Sequence, residues 1–158
     1  MRDVAARGLF PQMTPTPNEL KKTLVARGFE VYRTLADQVV LADRVRDNLI
    51  MDSGVAVKPG AVLAVRFVMR AQASDFPSSK ADEVFERARL CATEAVGRGY
   101  AEVGVAEVPV RDPGDASSTL DTWYEVAFER SVASEDELEQ ELRYALSLEK
   151  TVTHDRKA

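Results

Sequence analysis

Apolar residues recur at two spacings along this chain, alternating with polar ones in two stretches and returning every three to four residues in three others. The first helical stretch opens at Thr16-Pro17-Asn18-Glu19, where threonine can cap, proline suits the first helical position and Glu19 completes a capping box. Leu20, Leu24 and Val25 give this helix its apolar stripe, and Gly28 followed by Phe29 suits a left-handed C-terminal cap. The alternation that follows predicts four strands, near 29–34, 38–43, 47–57 and 61–71, with Lys58-Pro59-Gly60 as the clearest turn. In the fourth, Leu63, Val65, Phe67 and Met69 fall on one face and Arg66 and Arg70 on the other, which marks a sheet covered on one side.

Beyond Asp75-Phe76-Pro77, Ser78 or Ser79 is expected to cap a second helix, in which Val84, Ala88, Cys91, Ala92, Ala95 and Val96 recur at helical spacing until Gly97 and Gly99 end it. Two longer strands follow, near 100–110 and 120–131, joined by a loop over 111–118. Ala101, Val103 and Val105 are the expected core face of the first, and Tyr124, Val126 and Phe128 that of the second. A second capping box at Ser134-Glu135-Asp136-Glu137 starts a third helix with Leu138, Leu142, Ala145 and Leu146 on its apolar stripe. The order α-β-β-β-β-α-β-β-α predicts an α+β fold, a mainly antiparallel sheet with helices packed on it. Residues 1–15 read as an N-terminal arm, 16–150 as a single domain and 151–158 as a polar tail that frays.

Composition narrows the function classes. At 158 residues, 45% hydrophobic and 30% charged, the chain can bury one sizeable core without a disulfide or metal staple. The 21 basic and 26 acidic residues give a formal charge of -5 with the two signs mixed, where a nucleic-acid partner would call for a basic stripe. The first twenty residues lack the apolar run of a signal peptide, and no stretch reaches transmembrane length. A soluble, cytoplasmic protein without a membrane partner is therefore expected. Cys91 and His154 are the only residues of their kinds, so the chain alone offers neither a disulfide nor a zinc site, and no cofactor is expected.

Candidate chemistry is sparse. His154 falls in the polar tail, where a solvated side chain is expected, and Cys91 falls on the apolar stripe of the second helix, which suits a core thiol. Asp112, Asp115 and Asp121 lack the alternating spacing of a calcium loop and suit turn geometry instead. Gly54 and Gly60 read as turn glycines, and Gly97-Arg98-Gly99 closes a helix where a phosphate cradle would open one. With no catalytic constellation, a non-enzymatic protein is expected. Two surfaces remain. Arg44, Arg46, Arg66 and Arg70 are candidates to hold an anionic ligand on a sheet face, although Arg44-Val45-Arg46 and Asp52-Ser53-Gly54 lack the spacing of PilZ-type cyclic-dinucleotide receptors. Trp123 shares a strand face with Glu125 and Ala127, opposite the core residues, and an aromatic there needs cover. The arm carrying Phe10, another subunit or a partner would supply it, which makes Phe10, Trp123, Glu125 and Ala127 a candidate interface.

The helix from Asn18 to Gly28, the strand ending at Ala71, the helix over 80–96, the strand pair 100–110 and 120–131, and the segment SEDELEQELRYALSL resemble the YbjN-like and type III secretion chaperone-like fold. The likeness lies in element order, from Asn18 to Lys150. It implies a non-enzymatic homodimer, with the middle helix mediating dimerisation and a protein segment bound at sheet edges or in apolar grooves. Two departures stand out: four strands before the middle helix where three are usual, and the long 112–118 loop. The expected function is thus a protein-binding or chaperone-like module. The alternative is a sensor of nucleotides or other small anions on the arginine-bearing face.

Overall fold

The structure is a computed structural model that describes residues 14–154. The described residues form an α+β fold with four α-helices and a seven-stranded, mainly antiparallel sheet. The described residues group into two compact units, one formed by the chain up to Phe67 with Arg130–Leu148, the other by Val68–Glu129 with the residues from Glu149 on.

In the first unit, helix α1 (Pro17–Ala26) begins and ends where its local signals place it. Thr16 Oγ1 accepts the Glu19 amide at 3.1 Å, and Glu19 accepts the Thr16 amide at 2.8 Å. At the other end Gly28 takes a φ of 92°, while the Phe29 amide reaches the Leu24 carbonyl at 3.0 Å and the Gly28 amide that of Val25 at 3.0 Å. Leu20 and Leu24 are buried, but Val25 is exposed, so the stripe is narrower than expected. Strands β1 (Val31–Thr34), β2 (Val39–Arg46), β3 (Leu49–Lys58) and β4 (Leu63–Gln72) pair antiparallel in sequence order. The hairpin between β2 and β3 turns at Asp47-Asn48, a pair expected from the sequence to open the third strand. Gly54 lies within β3 at a φ of 78°, where the register against β2 shifts, and is not a turn glycine. The buried Ser53 hydroxyl bridges this irregularity, donating to the Leu41 carbonyl at 2.7 Å and accepting the Val55 amide at 3.1 Å.

Helix α4 (Glu135–Ser147) belongs to the same unit and buries Leu138, Leu142 and Ala145, with Leu146 half-buried. Only half of its expected capping box forms. Ser134 accepts the Glu137 amide, but Glu137 turns instead to the Ala133 amide and to Arg130. Arg130 also pairs with Glu141, which is buried on the apolar stripe of α4, at 2.7 Å. Arg27 at the end of α1 meets Glu135, Asp136 and Glu139 of α4, and these contacts raise its pKa, through hydrogen bonding to Asp136 first.

The second unit continues β4 and adds β6 (Asp115–Val132), β5 (Ala101–Asp112) and the two-residue β7 (Thr151–Val152). Residues 151–152 thus do not fray: they pair parallel with β4 at Arg70 and Ala71, and Val152 is buried. The expected middle helix breaks at Ala92 into α2 (Ala81–Cys91) and α3 (Thr93–Gly97). Neither Ser78 nor Ser79 is its N-cap. Lys80 holds that position, and its amide is satisfied by Glu83 at 2.7 Å. Val84, Phe85, Ala88, Ala92 and Ala95 are buried, Cys91 is half-buried and Val96 is exposed. Gly99, at a φ of 107°, ends α3.

Candidate interaction surface

Strand β5 lies at one end of the sheet and pairs only with β6 among the described residues. The loop expected over 111–118 is instead a tight turn at Pro113-Gly114, with the Gly114 amide held by Asp112 at 2.9 Å. The two strands therefore form one long hairpin. Its core side is supplied by β6 alone: Val126 and Phe128 are buried, and Tyr124 meets Phe85 of α2 edge-on at 5.3 Å. The expected core face of β5 is not a core. Val103 is 51% and Val105 49% exposed, Ala101 is exposed as well, and every residue over 101–109 is exposed.

Register explains part of this. Glu102 faces Phe128 and Gly104 faces Ala127, so Val103 is an extra residue at a β-bulge and the apolar alternation on either side of it is out of phase. From Gly104 to Val110 the pairing is regular: Val105 opposes Val126, Glu107 opposes Tyr124 and Val108 opposes Trp123. Pro109 falls in this run. A proline inside a sheet sits on an edge strand with its nitrogen toward solvent, and backbone groups two residues apart point the same way. Val105 and Glu107 thus present N–H and C=O groups to the open side, and Pro109 presents a C=O alone.

Trp123 is half-buried, and its cover is local: the Arg70 guanidinium of β4 lies over the ring at 5.0 Å and pairs with Glu125 at 2.8 Å. Ala127 is buried, and Phe10 lies outside the described residues. Of the four arginines, Arg44 pairs with Glu30 and Arg70 with Glu125. Arg46 is exposed at the end of β2, and Arg66 is half-buried on β4.

The aspartates serve the backbone. Asp115 accepts the Ser117 amide and hydroxyl, and Asp121 accepts the Ser74 hydroxyl at 2.7 Å and the Thr122 amide at 2.8 Å. Those bonds, the Ser74 hydroxyl first, hold the Asp121 carboxyl below the usual carboxylate range. His154 is exposed, with its ring 6.2 Å from Phe76 and its carbonyl accepting from Arg87 at 2.7 Å. No group of three or more potential metal ligands occurs among the described residues, and no described helix is long and apolar enough to cross a membrane.

The sequence points to Phe10, Trp123, Glu125 and Ala127 as the candidate interface, and its alternation does not single out Val105, Glu107 and Val108, which are exposed on the neighbouring strand. Pro109, inside an otherwise strand-like run, was the signal that this strand lies on an edge. No family model, curated protein or solved structure matches the chain.

Proposed function

We propose that this protein is a non-enzymatic, protein-binding module of the chaperone-like kind, which takes a partner segment on the β5–β6 hairpin. The observation that carries the reading is β5 itself, an edge strand of twelve residues on which Val103, Val105 and Val108 stay exposed. Edge strands with open backbone groups are templates for added strands, and proteins commonly blunt them. Here the bulge at Val103 and the proline at 109 blunt both ends and leave a short open window between them. A window of this kind suits one short extended segment better than an extended sheet.

Self-association is the second part of the proposal, through the middle helical region. Leu90 on α2 and Val96 on α3 are 49% and 52% exposed, where a helix packed only on its own sheet would carry polar residues. The anion-sensor alternative draws less support, because Arg44 and Arg70 each already hold a carboxylate.

A photo-crosslinking residue at position 108, introduced in the native host, tests the hairpin reading. A discrete crosslinked partner that disappears when Val105→Glu is added is the expected result. Equal crosslinking with and without Val105→Glu, or none at all, would remove the hairpin from the account. Light scattering after size-exclusion chromatography tests self-association: a dimer converted to monomer by Leu90→Glu is expected, and a monomeric wild type would contradict it.

A further inference from the structure

The charge of the hairpin narrows the choice of partner. Residues 101–132, the whole hairpin, contain seven acidic residues and two basic residues, Arg111 and Arg130, a formal charge of -5 that equals the total of the chain. The rest of the protein is therefore close to neutral, and its net negative charge is concentrated on this one hairpin. Some of the carboxylates are compensated locally. Glu102 pairs with Arg89 of α2 at 2.7 Å, and Glu125 with Arg70. Glu107, in the middle of the open window, is exposed, and Asp112 and Asp115 extend the negative surface toward the turn.

We infer that the segment docked on β5 is a basic, extended peptide in which lysine or arginine alternates with apolar or β-branched residues. This inference rests on the hairpin reading proposed above and adds the chemistry of the ligand. An incoming strand lies about 4.8 Å from β5, so its side chains alternate between the two faces in step with those of β5. On one face they meet Val105 and Glu107, and on the other Ala106 and Val108. Cations in line with Glu107 gain from the hairpin field, and the apolar side chains between them cover Val108 on the other face. The open groups of Val105 and Glu107 supply the ladder, and the lone carbonyl of Pro109 ends it.

The same charge disfavours a second copy of this chain as occupant. Pairing β5 with β5 of another molecule would set two hairpins of charge -5 side by side, with the two Glu107 residues diagonal neighbours about 7–8 Å apart in a register centred on Ala106. Like charges at such spacing oppose association. A dimer built on Leu90 and Val96 does not meet this obstacle.

The test uses the full chain and three blocked nonapeptides. One alternates lysine with valine and threonine, the second carries glutamate in place of every lysine, and the third keeps the lysines but has proline in place of the valines. Calorimetry reads affinity, and the emission of Trp123, the single tryptophan and the cross-strand neighbour of Val108, reports whether binding is at the hairpin. Saturable binding of the first peptide with a change in Trp123 emission is expected. The other two should bind at least about tenfold more weakly, and Glu107→Lys should cost the first peptide a similar factor. Glu107 is exposed, so that variant should fold, and Glu107→Gln gives a milder check with an intermediate loss.

Equal or tighter binding of the glutamate peptide would overturn the basic-partner inference. So would an absence of binding by all three peptides while the crosslinker at position 108 still traps a partner, and in that case the hairpin reading would stand. Absence of both peptide binding and crosslinking would remove both.

Discussion

Asp121 shows how a single carboxylate is tied into this fold. Its two oxygens accept from the Ser74 amide and hydroxyl and from the Thr122 amide, which favour the charged form and lower its pKa. A carboxyl titrating lower in the folded than in the unfolded state contributes stability at pH values above its unfolded value, about 3.9, and that contribution is lost as pH falls through the folded value. The variant Ser74→Ala should raise the Asp121 pKa toward the ordinary value of an aspartate, as read by carboxyl NMR titration. An unchanged titration would mean that the hydroxyl does not set it. Arg130 gives a second test. It pairs with Glu141, whose side chain is only 4% exposed. Arg130→Leu removes this ion pair from a buried carboxylate, and a loss of about 3 kcal/mol in urea unfolding is expected. Adding Glu141→Leu should recover much of it, because replacing both partners by apolar groups removes the buried charge. A loss that the double variant does not reduce would argue that Arg130 acts through packing or through Glu137.

Among the elements, the contrast lies within the β5–β6 hairpin. Phe128 is buried and carries the core, whereas Val105 on the neighbouring strand is half in solvent. Phe128→Ala should therefore cost about 3–5 kcal/mol, while Val105→Thr should change stability by less than about 0.5 kcal/mol, both by chemical denaturation. Comparable losses at the two sites would place Val105 in a core. This strand is also where the sequence was least legible. The capping box at Thr16, the glycine cap at Gly28 and the alternation on β4 are local signals, and local geometry follows them. Whether the apolar side of a strand is covered depends on its place in the sheet, and alternation on β5 carries no information about that. The bulge at Val103 is equally silent, since it exists only relative to the β6 register. Glu141 likewise reads as an ordinary charged position on a helix, and the approach of Arg130 from outside the helix, which helps make its burial tolerable, leaves no trace in the local pattern. The arginine-bearing face was legible as residues but not as chemistry, because the carboxylates that occupy Arg44 and Arg70 come from elsewhere in the chain, Glu30 just before β1 and Glu125 on β6.

At the scale of the whole molecule, a formal charge of -5 is unremarkable, and its distribution is what bears on function. The hairpin carries the negative charge and the exposed valines together, so a partner drawn by one meets the other. Association driven partly by that field should weaken as ionic strength rises, because the screening length falls from about 8 Å at 0.15 M salt to about 3 Å at 1 M. The most direct test of the account is amide hydrogen exchange along the chain, by NMR, with and without the lysine-alternating peptide. Saturating peptide should slow the amides of Val105 and Glu107 on the open edge, with little change along α1 and α4. Protection that leaves those two amides unaffected, or that appears first on the helices, would contradict the account.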